Sequence, residues 1–200
     1  MATNLQKVIF LHGFTSGGHC EMANTLKAVS AGDFTVIAPD LPLHPEKALQ
    51  QILSLCETEQ PALLVGSSCG AFYAQLAVQQ TGLPALLSNP HFKMSDFLAT
   101  RIGTAPYKCP RDDGQQTYTV TPELIEAFKR IEATQFNAYN KADRERVWGL
   151  FGTLDTLANF REIFLRYYAN SRTFVGNHTM SAENVKETLA PTIREMLSIY

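Results

Sequence analysis

The chain has 200 residues, 45% of them apolar, with 17 Lys and Arg against 19 Asp and Glu. That length suits a single domain spanning residues 1–200, able to bury roughly 70% of the surface its unfolded chain exposes. A net charge of −2, with no stretch long and apolar enough to span a bilayer, argues against nucleic-acid and membrane partners.

The elements read in order as follows. Lys7–Leu11 is an apolar, β-branched run with the character of a fully buried strand. It ends in the glycine-rich loop His12-Gly13-Phe14-Thr15-Ser16-Gly17-Gly18, before a helix expected from about Glu21 to Ala31. A second strand, Phe34–Ala38, stops at Pro39. Pro45 is placed to start a helix over Glu46–Glu57, whose apolar stripe is Ala48, Leu49, Ile52, Leu53 and Leu55. A third strand begins at Leu63, and the helix after it, Ala71–Gln80, is small or apolar almost all round, as a helix buried against a sheet would be. Pro84–Leu87 is a fourth strand, ending at Asn89-Pro90-His91. After an excursion from 92 to 143, with a helix expected over Pro122–Ala133, come a strand (Arg146–Phe151), a helix (Phe160–Ala169), a strand (Arg172–Val175) and a closing helix (Ala182–Ile199). Strands alternating with helices imply an α/β fold, a doubly wound parallel sheet with helices on both faces. The excursion reads either as a small helical cap over the ligand-binding edge or as a surface excursion packed on the sheet.

Smaller features point to a plain cytoplasmic protein. Val8-Ile9-Phe10-Leu11 is too short for the apolar core of an export signal. Cys20, Cys56, Cys69 and Cys109 show no C-x-x-C spacing, so reduced thiols are expected rather than disulfides or a zinc site. His19 and His44 have no partner spacing that suggests a metal, and Lys129-Arg130 and the Arg144/Arg146 pair read as solvated helix faces.

The chemistry centres on Leu63-Leu64-Val65-Gly66-Ser67-Ser68-Cys69-Gly70, a G-x-S-x-G arrangement about Ser68. A serine on a sharp strand-to-helix turn brings the backbone close to neighbouring elements, so the residues two before and two after it must lack bulk. Glycine also tolerates strained dihedrals. A serine nucleophile then needs a base, and the base a carboxylate that fixes its tautomer. In this sheet type the chain order is Ser, acid, His.

Only His91 and His178 follow Ser68, and of these only His178 follows a strand near the C-terminus. The alternative reading of His178 is an exposed loop histidine. Among the acids, Asp155 follows directly on the strand 146–151, whereas Asp112 and Asp113 lie in a turn and Asp143 in a charged run. The alternative for Asp155 is a helix N-cap. The backbone N–H groups of Cys69 and Phe14 are the expected oxyanion donors, with the Cys69 thiol facing away. His12 is expected to brace its loop, and His91 to line the pocket or merely end a strand.

Jointly these motifs resemble the α/β-hydrolases, and in detail the short bacterial esterases of the YqiA type. The matching residues are Leu11-His12-Gly13-Phe14, Gly66-Ser67-Ser68-x-Gly70, Asn89-Pro90, Gly114-Gln115-Gln116 with Tyr118, Tyr167-Tyr168 and Gly176-Asn177-His178. Two departures stand out: Cys69-Gly70-Ala71 where the family has Leu-Gly-Gly, and Leu154-Asp155-Thr156 where it has Gly-Asp-Glu. The resemblance implies a cofactor-free esterase acting on a small-molecule ester, with Ser68, Asp155 and His178 as its triad. Other readings are a thioesterase or carbon–carbon bond hydrolase with the same triad, and a silent fold member that only binds. If His178 is the base, catalysis needs its neutral imidazole.

Overall fold

The structure is a computed structural model that describes residues 5–200; the first four residues of the expected domain lie outside it. Six parallel strands form the main sheet in the order β2-β1-β3-β4-β7-β8. They are β1 (Lys7–Leu11), β2 (Thr35–Ile37), β3 (Leu63–Ser67), β4 (Ala85–Ser88), β7 (Val147–Gly152) and β8 (Asn170–Phe174). The order reverses between β1 and β3, the place where ligands bind beyond the carboxyl ends of such strands.

The period of two along the strands divides the core. Ile9, Leu11, Leu64, Leu87 and Phe151 face one layer, with α2 (Pro45–Glu59), α3 (Cys69–Thr81) and α5 (Pro122–Glu132). Val8, Phe10, Val65, Leu86 and Leu150 face the other, with α1 (Glu21–Val29) and α9 (Ala190–Ile199). The four central strands, β1, β3, β4 and β7, are therefore apolar on both sides, which is why the sequence there reads as unbroken apolar runs rather than alternation. Helix α3, next to the reversal, is buried on almost every side.

The excursion corrects one expectation. It is not all helical: between α4 (Met94–Ala99) and α5 it carries an antiparallel hairpin of β5 (Gly103–Pro106) and β6 (Thr117–Val120). The hairpin is mostly exposed, and β5, Gly-Thr-Ala-Pro, has no apolar alternation to announce it as a strand. The segment packs on the sheet's helices through Phe128, whose ring lies 6.2 Å from that of Phe72. Residues of the segment also line the cleft described below.

Other boundaries shift. The closing helix is not uniform: α8 (Ala182–Asn184) passes through a wider π-type turn (Val185–Leu189) into α9. Helix α7 (Arg161–Tyr167) stops short of Ala169, and Val175 lies beyond β8, 76% exposed. Arg146 is not a solvated helix residue, because α6 (Asp143–Arg146) turns it back onto the fully buried carboxylate of Asp143. Among the described residues no helix is long and apolar enough to cross a membrane.

Candidate active site

The turn after β3 places Ser68 at φ 56° and ψ −116°, a conformation that costs a non-glycine residue of order 1–3 kcal/mol. The strain sits on the serine itself. This corrects the expectation that the flanking glycines are needed for unusual dihedrals, since neither Gly66 nor Gly70 has a positive φ. They are needed for close approach. A Cβ on Gly70 would overlap the carbonyl oxygens of Leu11 and His12, and one on Gly66 would overlap the backbone of Gly70 and Ala71. The turn is held by Ser68 N–H donating to Ser88 O (3.0 Å), and by Ser68 O accepting from Phe72 N–H (3.2 Å) and His91 N–H (3.3 Å).

Ser68, His178 and Asp155, far apart along the chain, meet at the carboxyl edge of the sheet. His178 Nε2 lies 2.8 Å from Ser68 Oγ, and His178 Nδ1 lies 2.8 Å from Asp155 Oδ2. A carboxylate only accepts, so Nδ1 carries the proton and donates, leaving Nε2 free to accept from the serine hydroxyl. The Asp155 side chain is 4% exposed and that of His178 18% exposed. The helix N-cap alternative does not hold, since the next helix begins only at Arg161; instead Oδ1 accepts from the N–H groups of Leu157 (2.8 Å) and Ala158 (3.1 Å) within the loop itself.

The Cys69 and Phe14 amides donate to no protein acceptor among the described residues, as an oxyanion site needs. The Cys69 side chain points into the core, 2% exposed, and burial pushes its thiol pKa well up, so it stays protonated. His12 braces its loop: Nδ1 donates to Gly13 O (2.8 Å) and Nε2 accepts from Leu41 N–H (3.0 Å). Burial lowers its pKa to about 4. His91 is buried against Phe97 and Phe160, with ring centres at 5.1 and 4.9 Å. Burial, then the neighbouring His178, lowers its pKa to about 4 as well, and its Nδ1 has no hydrogen-bond partner among the described residues.

These residues open on a cleft of about 400 Å³, lined by Ser68, His178, His12, His91 and Phe14, with Met94, Phe97 and Tyr118 from the excursion. A larger groove of about 590 Å³ between α2 and α5 holds none of the sequence-predicted site residues, and its walls carry no nucleophile with a base beside it. The cysteines are free, and among the described residues no group of His, Cys, Asp and Glu is placed to hold a metal ion.

Two positioning residues escape the sequence reading. Asn89, at φ 42° and 1% exposed, accepts from Gly152 N–H through Oδ1 (2.7 Å). Its Nδ2 donates to Asn177 O (3.0 Å) and His178 O (2.8 Å). It thereby joins the start of the Asp155 loop to the His178 loop. Arg111, its side chain 2% exposed, donates to Ser16 O (3.2 Å), Leu41 O (3.1 Å) and Asp113 Oδ2 (2.8 Å). With Lys108 N–H on Thr15 O at 2.9 Å, it ties the excursion to the Phe14 loop. The signal for Asn89 was present: asparagine is the side chain that best tolerates a positive φ.

Parallel strand order, strained serine turn and this site edge define the α/β-hydrolase fold. Among solved structures the chain is similar to Est1E from Butyrivibrio proteoclasticus (TM-score 0.71, 15% identity, covering 97% of this chain and 89% of that one). It is also similar to a putative hydrolase from Agrobacterium vitis S4 (TM-score 0.73, 17% identity, 96% and 88%). A third is a Paleococcus ferrophilus monoacylglycerol lipase (TM-score 0.67, 18% identity, 97% and 95%). At these identities the likeness is one of fold. More particularly, the chain belongs to the YqiA-like family described as "Uncharacterised protein family (UPF0227)", which matches residues 7–195.

Proposed function

We propose that this protein is a serine hydrolase that cleaves carboxylic esters through an acyl-enzyme on Ser68. The observation that carries the reading is the continuous hydrogen-bond relay from Asp155 through His178 to Ser68, each link at 2.8 Å. Esterases and a lipase among the fold's relatives support the same class. In this reading residues 1–200 form one catalytic domain, with 92–143 as its substrate-facing cap.

The reaction runs in two halves. His178 Nε2 takes the Ser68 proton as Oγ attacks the ester carbonyl, and the Cys69 and Phe14 amides hold the resulting oxyanion. Collapse expels the alcohol, which receives its proton from His178. Water then gives a proton to His178 and attacks the acyl-enzyme; the second collapse returns the proton to Ser68 and releases the acid. Asp155 holds the imidazole in the tautomer that each transfer needs and stabilises the imidazolium. His91, kept neutral by burial, adds no competing charge beside it.

The test is turnover of 4-nitrophenyl butyrate by the wild type, Ser68→Ala and His178→Ala. Each substitution should lower kcat by about four to six orders of magnitude, with little further loss when they are combined. Full activity in Ser68→Ala would end the assignment, and an inert wild type that still binds the ester would favour a silent binding protein.

A further inference from the structure

We infer that the cleft above Ser68 takes an ester whose far end carries a negative charge, received by Arg101 with Lys108 at the same mouth; this rests on the hydrolase reading above. Both cations line the cleft, and Glu21 is the one carboxylic side chain among its lining residues. Among the described residues, no carboxylate oxygen lies within 4.0 Å of Arg101 or Lys108. Asp155 makes no ion pair with them; its oxygens accept from His178, Leu157 and Ala158.

Arg101 is oriented before any ligand arrives. Its guanidinium carbon lies 3.8 Å from the centre of the Phe97 ring, and Nη1 donates to Phe97 O and Thr100 Oγ1, both at 2.7 Å. That leaves Nε and Nη2 without an acceptor among the described residues. These two donors form the side edge of the guanidinium, the edge that a carboxylate or phosphate engages with two parallel hydrogen bonds. Fixing the group against Phe97 lowers the entropy lost on pairing. The line from charge to chemistry is short: Arg101 stacks on Phe97, Phe97 packs edge-on against His91 at 5.1 Å, and His91 N–H bonds Ser68 O. The Arg101 charge is felt at that end, where it adds to burial and His178 in depressing the His91 pKa. Lys108 lines the same cleft, its backbone N–H bonded to Thr15 O in the loop that carries Phe14. Beside the two cations the excursion contributes Met94, Phe97, Tyr118 and Val120 to the lining, a surface suited to the apolar part of the same substrate.

An anion on the acyl side and one on the alcohol side satisfy the same donors, so the test has two arms. In the first, 4-nitrophenyl hydrogen adipate is compared with 4-nitrophenyl methyl adipate, in which a methyl group caps the far carboxylate and removes its charge, and release of 4-nitrophenol is read for both. In the second, the butyryl ester of glycerol phosphate is compared with glycerol monobutyrate. In one arm the anionic member should show a kcat/KM higher by about fivefold or more at low salt, the scale of one well-formed exposed ion pair. The ratio should fall towards one at about 0.5 M salt, where screening is short-ranged. Arg101→Gln should collapse the ratio, and Lys108→Gln should reduce it. Ratios at or below one in both arms, or a preference that Arg101→Gln leaves intact, would overturn the inference while the hydrolase reading stands. If all four esters survive and a fluorophosphonate fails to label Ser68, the hydrolase reading falls and this inference with it.

Discussion

The side-chain amide of Asn89 donates to the backbone carbonyl of His178 at 2.8 Å, across the carboxyl ends of β4, β7 and β8. With its bonds to Asn177 O and Gly152 N–H, one buried amide fixes the His178 loop relative to the Asp155 loop. Removing it takes the partner from three partly buried backbone groups, each hydrogen bond worth about 0.5–1.5 kcal/mol. Asn89→Ala should therefore lower stability by about 2–4 kcal/mol. It should lower kcat by up to about 100-fold with little change in KM, the signature of misplaced chemistry rather than lost binding. Asn89→Asp should be worse, because its second oxygen would face two carbonyls. A KM-only effect in both variants would contradict this role.

Asp155 separates structure from chemistry by substitution. Asp155→Asn retains an oxygen for the Leu157 and Ala158 amides but no longer enforces the Nδ1–H tautomer of His178. Its kcat should drop by about 10³–10⁴ while the melting temperature stays within a few degrees. Asp155→Ala should lose the two loop hydrogen bonds too, and with them about 1 kcal/mol. Equal activity in wild type and Asp155→Asn would remove the aspartate from the relay.

The packing behind the serine gives a purely steric prediction. A Cβ at position 70 would strike the backbone of Leu11 and His12, where no side chain can move aside. Gly70→Ala should cost more than about 4 kcal/mol or prevent folding, whereas Gly114→Ala, at a positive φ in open space, should cost about 1 kcal/mol. Chemical denaturation of the two variants decides it, and similar midpoints would contradict the tight elbow.

Burial of neutral His12 makes stability depend on pH. Its pKa is about 4 in the fold and about 6.5 in the unfolded chain, so below pH 6.5 the unfolded state binds more protons. Stability is then fully present above about pH 6.5 and is lost as pH falls towards 4, by about 3 kcal/mol from this group alone. His91, lowered to about 4 in the same way, acts in the same direction. Denaturant midpoints should fall steadily between pH 7 and pH 5. Constant midpoints over that range would contradict buried, neutral imidazoles.

The sequence carries the framework because its signals are local. Apolar runs mark strands buried on both faces, Gly66 and Gly70 mark the elbow, and chain order leaves His178 as the one histidine beyond a late strand. What escaped depends on distant partners. Asn89 and Arg111 look like ordinary loop residues until the fold encloses them, and Asp143 reads as part of a charged run although its carboxylate is wholly buried. In the β5–β6 hairpin, Thr117-Tyr118-Thr119-Val120 alternates β-forming residues, but its partner Gly103-Thr104-Ala105-Pro106 is short, exposed and carries Gly and Pro, so the sequence announces no strand pair. The strain at Ser68 follows the same rule: its glycine neighbours show that space is tight, but only the assembled turn shows which residue bears the unusual φ.

The central claim is that His178 makes Ser68 a nucleophile. It is tested most directly by intact-mass and peptide-mass measurement after brief exposure to a fluorophosphonate. The wild type should gain one adduct, on the peptide containing Ser68; Ser68→Ala should gain none, and His178→Ala should react at least about 1,000-fold more slowly. An adduct on another residue, or equal labelling of wild type and His178→Ala, would contradict the account.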